Sequence, residues 1–401
     1  MQIFLRFFPS LALFSIFHTA TQKNCAPKTA VFSCARKKPY LCKKFSKGMA
    51  LTVSTIIEPT YFSCDVPNIT MATTQPSVSV VIKAKSTVIF SSVYYAARGM
   101  VTLRDLTSII ETHCVRNGLS VAEIEILATD SDGSQTMTFT TIYCHYRCIA
   151  MNASSFLTSA FFTTATSRLT AIGCPEQLTC YLEKGTHSIK IATMVQLPNG
   201  NITSYDYSKR LSSASAHVAS FSVSPESVQQ TAAQAMKMEV RLLQFSVTLG
   251  ERVCRFFVQR VPDVRCFYFW NVFNCKEAIA FPAATVTNLE TDYSEAVIGH
   301  EFAQYDIEHA YTYETKTGNL LSLQMSWIEQ FLTSPKILLA KAQNGAYPVV
   351  LIKDYDYEHS DAPGEAKSVE FTWKLADKRL TLHEFELSDG IFTAQYTEEY
   401  V

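Results

Sequence analysis

Between Tyr311 and Leu382 the apolar residues change period twice, and this constrains the chain more than any other feature. Tyr311-Thr-Tyr-Glu-Thr315 alternates as a strand does. From residue 319 to 333, Leu321, Met325, Ile328 and Leu332 fall at i, i+4, i+7 and i+11, with Leu320, Trp327 and Phe331 widening the stripe. Such a stripe predicts a helix packed along one side against a sheet. Ser334-Pro335 stops it, because the residue before a proline is pushed out of the α region. Residues 336–341, 347–359 and 368–382 then read as strands. The last two form a hairpin whose tip carries Asp361-Ala-Pro-Gly364.

The same alternation runs through the rest of the chain. Val78, Val80 and Ile82 predict a half-buried strand, and residues 87–95 continue it. Asp105 is placed to cap a short helix carrying Leu106, Ile109, Ile110 and His113, which Asn117-Gly118 ends. Ala122, Ile124, Ile126 and Ala128 lead through the turn Asp130-Ser-Asp-Gly133 to Met137, Phe139, Thr141 and Tyr143, a hairpin. A second hairpin joins residues 188–196 to 202–207 through Pro198-Asn-Gly-Asn201. A third joins 238–249 to 252–258 through Gly250-Glu251. Residues 178–182 and 266–270 read as further strands, and 225–237 as a helix opened by Ser224-Pro225. Residues 150–170, rich in Ser, Thr and Ala, read as a loop or crossover, 211–222 as a linker, and 273–291 as irregular.

The fold class that follows is mainly β, with two or three sandwich-like or barrel-like domains, a few short helices and no internal repeat. A 401-residue chain exceeds one ordinary core, and 47% apolar against 18% charged residues is a globular balance. The division expected is a foreign head over 1–48, an N-terminal β-sandwich over 49–215, and a C-terminal β-rich domain over 216–401 with a second break near 290.

The head stands apart by charge. Residues 1–48 hold nine Lys/Arg and no Asp or Glu, which leaves residues 49–401 with 26 basic and 36 acidic groups, net −10. An acidic body argues against nucleic-acid binding, which needs clustered Lys/Arg on phosphate. Three readings of the head stay open: a secretory signal built on the apolar run 7–17, a transit segment, or upstream sequence before a start at Met49. The run is too short to span a bilayer.

Each candidate for chemistry has a plainer reading. Cys144-His-Tyr-Arg-Cys148 offers soft ligands, but in a strand His145 points away from both thiols, and neither this spacing nor that of Cys174 and Cys180 is a zinc knuckle. Buried free thiols are the simpler account of the nine cysteines after Met49, with a disulfide as the alternative. Asp354, Asp356 and Glu358 alternate on one strand face. Calcium would accept such oxygens, yet the pattern is not a calcium loop, and the wet face of an amphipathic strand explains it. Asp130 and Asp132 fit a tight turn. His300, Glu301 and His309 have no spacing that unites them. The sequons at Asn68, Asn152 and Asn201 matter only for an exported chain. No nucleophile elbow, P-loop, dinucleotide turn or zincin motif occurs, so no cofactor, metal or catalytic residue is assigned.

Four stretches carry a likeness: Phe269-Trp-Asn-Val-Phe-Asn-Cys-Lys-Glu277, Trp327-Ile-Glu-Gln-Phe-Leu-Thr-Ser334, Val350-Leu-Ile-Lys-Asp-Tyr355 and Val369-Glu-Phe-Thr-Trp-Lys-Leu-Ala-Asp-Lys378. In them the chain resembles tail- or virion-associated structural proteins of tailed phages and prophages of gut anaerobes, over about residues 50–385. The resemblance implies β-sandwich or barrel modules that dock to identical copies or to neighbouring tail proteins, in a virion or in the host cytoplasm before assembly. The first 48 residues have no counterpart in it, which favours a start at Met49. The expectation is therefore a non-enzymatic tail or baseplate component, with Asp354, Asp356, Glu358 and Asp361 as partner contacts. Two alternatives stand beside it. One is a secreted adhesin that stacks glycans on Tyr143, Tyr146 and Trp270; the other is a hydrolase with a site spread over loops.

Overall fold

Alternation of inward and outward side chains decides where each strand lies, and the computed structural model describes the outcome for residues 51–146, 151–260, 264–282, 285–298, 300–318, 320, 322–341, 346–357 and 368–377. The protein is mainly β, and from Gly48 onward it forms one compact unit. Among the described residues its sheets gather around three large cores, with a smaller one where they meet and a minor cluster of Cys174, Tyr268 and Ala278.

The first part contains β1 (Thr52–Val53), β2 (Thr60–Phe62), β3 (Ile69–Ala72), β4 (Ser77–Ala84), β5 (Thr87–Tyr95), β6 (Met100–Leu103), α1 (Leu106–Asn117), β7 (Val121–Thr129) and β8 (Ser134–Ile142). They form a three-stranded sheet, β1-β3-β6, and a five-stranded sheet, β2-β8-β7-β4-β5. Val78, Val80, Ile82, Ile124, Ile126 and Phe139 close on Ile110 and Cys114 of α1. Asp105 does precede α1, but at φ 58° its side chain makes no capping bond. Gly118 ends the helix at φ 61°, returning its amide to the carbonyls of Cys114 and Val115, where a Cβ would be strained. Asp130 holds the β7–β8 turn, its Oδ1 accepting from the amides of Asp132 and Gly133 at 2.9 and 3.0 Å.

The second part holds α2 (Ala153–Ser159), β9 (Ser167–Ala171), β10 (Gln177–Leu182), β11 (Gly185–Gln196), β12 (Ile202–Ser213), β13 (His217–Ser222), α3 (Pro225–Met236), β14 (Arg241–Leu249) and β15 (Arg252–Gln259). The main sheet runs β12-β11-β14-β15-β9, and β10 pairs with β13 beside it. Three sequence expectations fail here. Residues 150–170 are not a loop, since they contain α2 and β9, and β9 is held by parallel pairing with the distant β15. Residues 211–222 are not a linker, because β12 runs to Ser213 and β13 pairs with β10 along its whole length. Nor does a domain boundary fall at 215: β11 and β14, on either side of it, are sheet neighbours from Ile189↔Leu249 to Gln196↔Arg241.

The third part comprises β16 (Val264–Trp270), β17 (Lys276–Pro282), β18 (Thr285–Ile298), β19 (Glu301–Lys316), α4 (Ser322–Leu332), β20 (Ile337–Leu339), β21 (Val349–Asp356) and β22 (Glu370–Leu375), in one sheet ordered β17-β16-β20-β21-β22-β19-β18. Residues 273–291 are thus largely β17 and β18, and no break occurs at 290, which lies inside β18. Helix α4 forms where the apolar stripe predicts. However, Gln324 and Gln330 are buried as well as Met325, Trp327, Ile328, Phe331 and Leu332, so the helix is wedged between elements rather than laid along one side of a sheet.

The turn between β16 and β17 ties the three parts together. Asn271 donates to the Phe162 carbonyl at 2.7 Å, while its Oδ1 accepts from the amides of Phe273 and Cys275. Asn274, at φ 55°, donates to the carbonyls of Cys114 and Leu119 at the end of α1. Phe273 packs on Phe156 and Phe162 in the junction core. Arg252 binds the carbonyls of Ala160, Leu157 and Tyr181.

Phe331 of α4 has no exposed surface and meets Phe267, Phe269, Phe281 and Phe371 with ring centroids 5.3–5.8 Å apart. Replacing Phe331 with Ala is expected to destabilise the protein by roughly 3–5 kcal/mol. Chemical denaturation followed by Trp fluorescence measures it.

Candidate functional site

Asp354 and Asp356, chosen from the sequence as partner contacts, lie exposed on β21; Glu358 and Asp361 fall outside the described residues. The alternation expected of this strand does not hold. A register shift between Ile352 and Asp354 inserts Lys353 as an extra residue, and Lys353 through Asp356 are all exposed. A bulge bends a strand and increases its twist, so this end is wet on both faces. Lys353 Nζ reaches across to Glu290 Oε2 of β18 at 2.6 Å and holds that carboxyl below its usual range. Asp356 stands opposite Glu370, which Lys316 engages at 2.8 Å.

The larger surface feature is one that sequence reasoning missed. Strands β18 and β19 pair from Thr285↔Thr315 to Ile298↔Glu301, but β19 meets β22 only through Tyr313–Lys316. Among the described residues, Glu301–Thr312 therefore have only β18 as a sheet neighbour, and the hairpin runs on as a two-stranded arm. Near its end Val297 lies directly opposite Phe302, and these are 63% and 80% exposed. Val286 and Leu289 are exposed farther down β18. The signal that the sequence does carry is the strand-like alternation of residues 294–305, which marks a strand but not its lack of a second neighbour. His300 and Glu301 sit at the hairpin end, and the side chain of His309 lies outside the described residues.

Beneath the surface, β9 places Arg168 with no exposed area between two carboxylates. Its Nε lies 3.8 Å from Glu176 Oε2 and its Nη1 3.6 Å from Glu277 Oε2. Glu277 also accepts from Trp327 Nε1 at 2.6 Å. The guanidinium lies 5.0 Å from the ring centre of Phe256 and 5.3 Å from that of Trp327. Burial pushes the Glu176 carboxyl up to about 7, against the pull of Arg168. Burial works against the Arg168 charge too, but Glu176 and Glu277 outweigh it and hold the guanidinium protonated. The cluster joins β9, β15, β17 and α4, and it is closed to solvent.

Cysteines after Met49 are free thiols among the described residues, and Cys148 is outside them. Cys64 and Cys144, on the extensions of neighbouring β2 and β8, both point at the Tyr146 carbonyl, at 3.4 and 2.8 Å. A hydrogen bond from Cys144 lowers the Cys64 pKa. Burial instead raises Cys114, Cys180 and Cys254 to about 11 and Cys275 to about 12. No group of three or more His, Cys, Asp or Glu fit to hold a metal occurs among the described residues. Asp130 is committed to its turn and to Thr73. Asn152 of the second sequon caps α2 through its side chain.

Of the three aromatics considered for glycans, Tyr146 is exposed, Tyr143 is half-buried and Trp270 carries Lys336 over its ring at 4.6 Å. No ring contact links them. Trp270 borders a cleft of about 460 Å³ that also takes in Lys85, Glu123, His217 and Lys276.

No protein-family model matches the chain, and neither does any curated protein. Among the described residues, no helix is long and apolar enough to cross a membrane.

Two outcomes are expected. The folded-state pKa of Glu176, about 7, lies above its ordinary 4.5, so the stabilisation tied to its proton is full below pH 4.5 and is lost as pH rises to 7. Glu176→Gln should flatten the melting temperature across that window, as calorimetry at a series of pH values would record. In site-resolved mass spectrometry after brief iodoacetamide treatment at pH 8, Cys64 should label before Cys114, Cys180, Cys254 and Cys275, because the thiolate is the nucleophile.

Proposed function

We propose that this chain is a non-enzymatic structural component of a phage or prophage tail or baseplate, assembling through β-rich contacts. The observation that carries the assembly role is the arm of β18 and β19, with Val297 and Phe302 opposed and exposed at its end. A monomer gains nothing from an apolar pair held in water on a two-stranded projection, and an isolated two-stranded ribbon is marginally stable by itself. Burial against a neighbouring subunit gives the pair its favourable free energy, about 25 cal/mol for each Å² removed from water.

The acidic strand end fits the same role. Asp354 and Asp356 lie on the same sheet as the arm, and Lys353 already bridges β21 to Glu290 on β18. An apolar tip and a charged strand end on one sheet supply the two kinds of surface, apolar centre and polar rim, of which protein interfaces are made. The buried Arg168 cluster supports the reading indirectly, since it rigidifies the base from which the arm extends. The particular assignment to a tail or baseplate rests on the resemblance of the four stretches named above.

The test is assembly. Sedimentation velocity and negative-stain imaging of the purified protein should find defined oligomers, and Phe302→Glu should dissolve them while leaving the melting temperature within about 1 °C, as for an exposed substitution. Reversing Asp354 and Asp356 to Lys should weaken assembly and alter its salt dependence. A wild-type chain that stays monomeric at high concentration would overturn the proposal.

A further inference from the structure

Four long open edges occur among the described residues: β5, β12, β18 and the outer side of β19 over Glu301–Thr312. A long open edge presents a row of unpaired amides and carbonyls, and natural proteins guard such rows with charge. Three of these are guarded. Strand β12 carries Asp206, Lys209 and Arg210, β18 carries Glu290, Asp292 and Glu295, and β19 carries Glu301, Asp306 and Glu308. Strand β5, with sequence Thr-Val-Ile-Phe-Ser-Ser-Val-Tyr-Tyr over Thr87–Tyr95, has no charged residue and no proline.

The backbone of β5 pairs with β4 on one side, and among the described residues Thr87–Tyr95 make no other backbone hydrogen bond. A register shift near Ile82 and Lys83 disturbs only the start of the strand. From Phe90 to Tyr95 the ladder against β4 is regular, so the outer edge there is straight enough to accept another strand. Val93 and Tyr95 are 55% and 82% exposed on one face.

We propose that the β5 edge is an interface with a second copy of this chain, two β5 strands pairing antiparallel about a two-fold axis near Val93. Charge selects this occupant. Self-pairing of β18 would bring acidic residues near each other across the ladder, which is destabilising, and β12 escapes the same cost only in a register that sets Asp206 against Lys209 or Arg210. Two β5 strands meet with no charge at all in any register, and among the described residues no other long edge offers an uncharged mate. In that register Val93 faces Val93 of the other copy, and each Tyr95 faces a Ser91, so the four apolar side chains form one continuous patch across the joint. The two five-stranded sheets become one of ten strands. Such a contact is isologous and closes after two copies, which leaves the arm of β18 and β19 free for higher assembly. The inference does not depend on the virion reading.

The test is made on the full chain carrying Phe302→Glu, so that assembly through the arm does not obscure the result. Light scattering should give twice the 44.9 kDa of one chain. Adding Val93→Lys, or independently Ser91→Lys, should halve that mass with far-UV circular dichroism unchanged and should remove the dependence of the melting temperature on protein concentration, while Val93→Thr should keep the dimer. Amide exchange of residues 90–95 should rise severalfold in the Lys variants. A monomer before Val93→Lys is added, or a dimer that survives both Lys variants, overturns the proposal. Either result leaves the arm to be judged by the wild-type chain alone.

Discussion

A single guanidinium without solvent contact decides how this chain can pack. Arg168 cannot shed its proton, so the fold must surround it with compensation. It does so with Glu277 from β17, the π faces of Phe256 and Trp327, and Glu176 to the extent that its carboxyl, pushed up to about 7 by burial, is ionised. Both carboxylates lie beyond hydrogen-bond reach of the guanidinium, so the attraction is Coulombic in a poorly screened interior rather than a network of short bonds. Breaking such an arrangement from one side leaves an uncompensated buried charge and costs about 3–5 kcal/mol. The second and third parts can therefore separate only by exposing or orphaning this group.

The Asn271–Glu277 stretch extends that constraint to the first part. Asn274 finishes the carbonyls at the end of α1, Cys275 meets Ser120 at 3.1 Å, Asn271 holds the Phe162 carbonyl, and Glu277 belongs to the Arg168 cluster. Seven consecutive residues thus reach partners in all three parts of the chain. The stretch is a hub of buried polar bonds, each expensive to leave unmade.

Local signals made much of the fold legible. The turns at Asp130–Gly133, Asn199-Gly200 and Gly250-Glu251 dictate hairpins through their own backbone needs, and the Met325/Ile328 stripe dictates α4. What escaped depends on partners far away in sequence. Strand β9 is Ser-Arg-Leu-Thr-Ala, with no apolar alternation, and becomes a strand because β15 lies beside it. Strand β13 hides in a Ser/Ala stretch for the same reason. Arg168 is invisible as a core residue, since nothing within five positions announces the two glutamates and two rings that receive it. The acidic face was legible as exposed, yet its alternation is undone by the extra residue at Lys353, a register event that period-two reading cannot anticipate.

The surface follows from the same division between what is held inside and what is left open. The buried cluster and the Asn271–Glu277 hub anchor the third sheet, and the β18–β19 arm extends from it with β18 and β19 paired only to each other over Glu301–Thr312. The β5 edge belongs to a different sheet with its own core, so the two open surfaces draw on different elements.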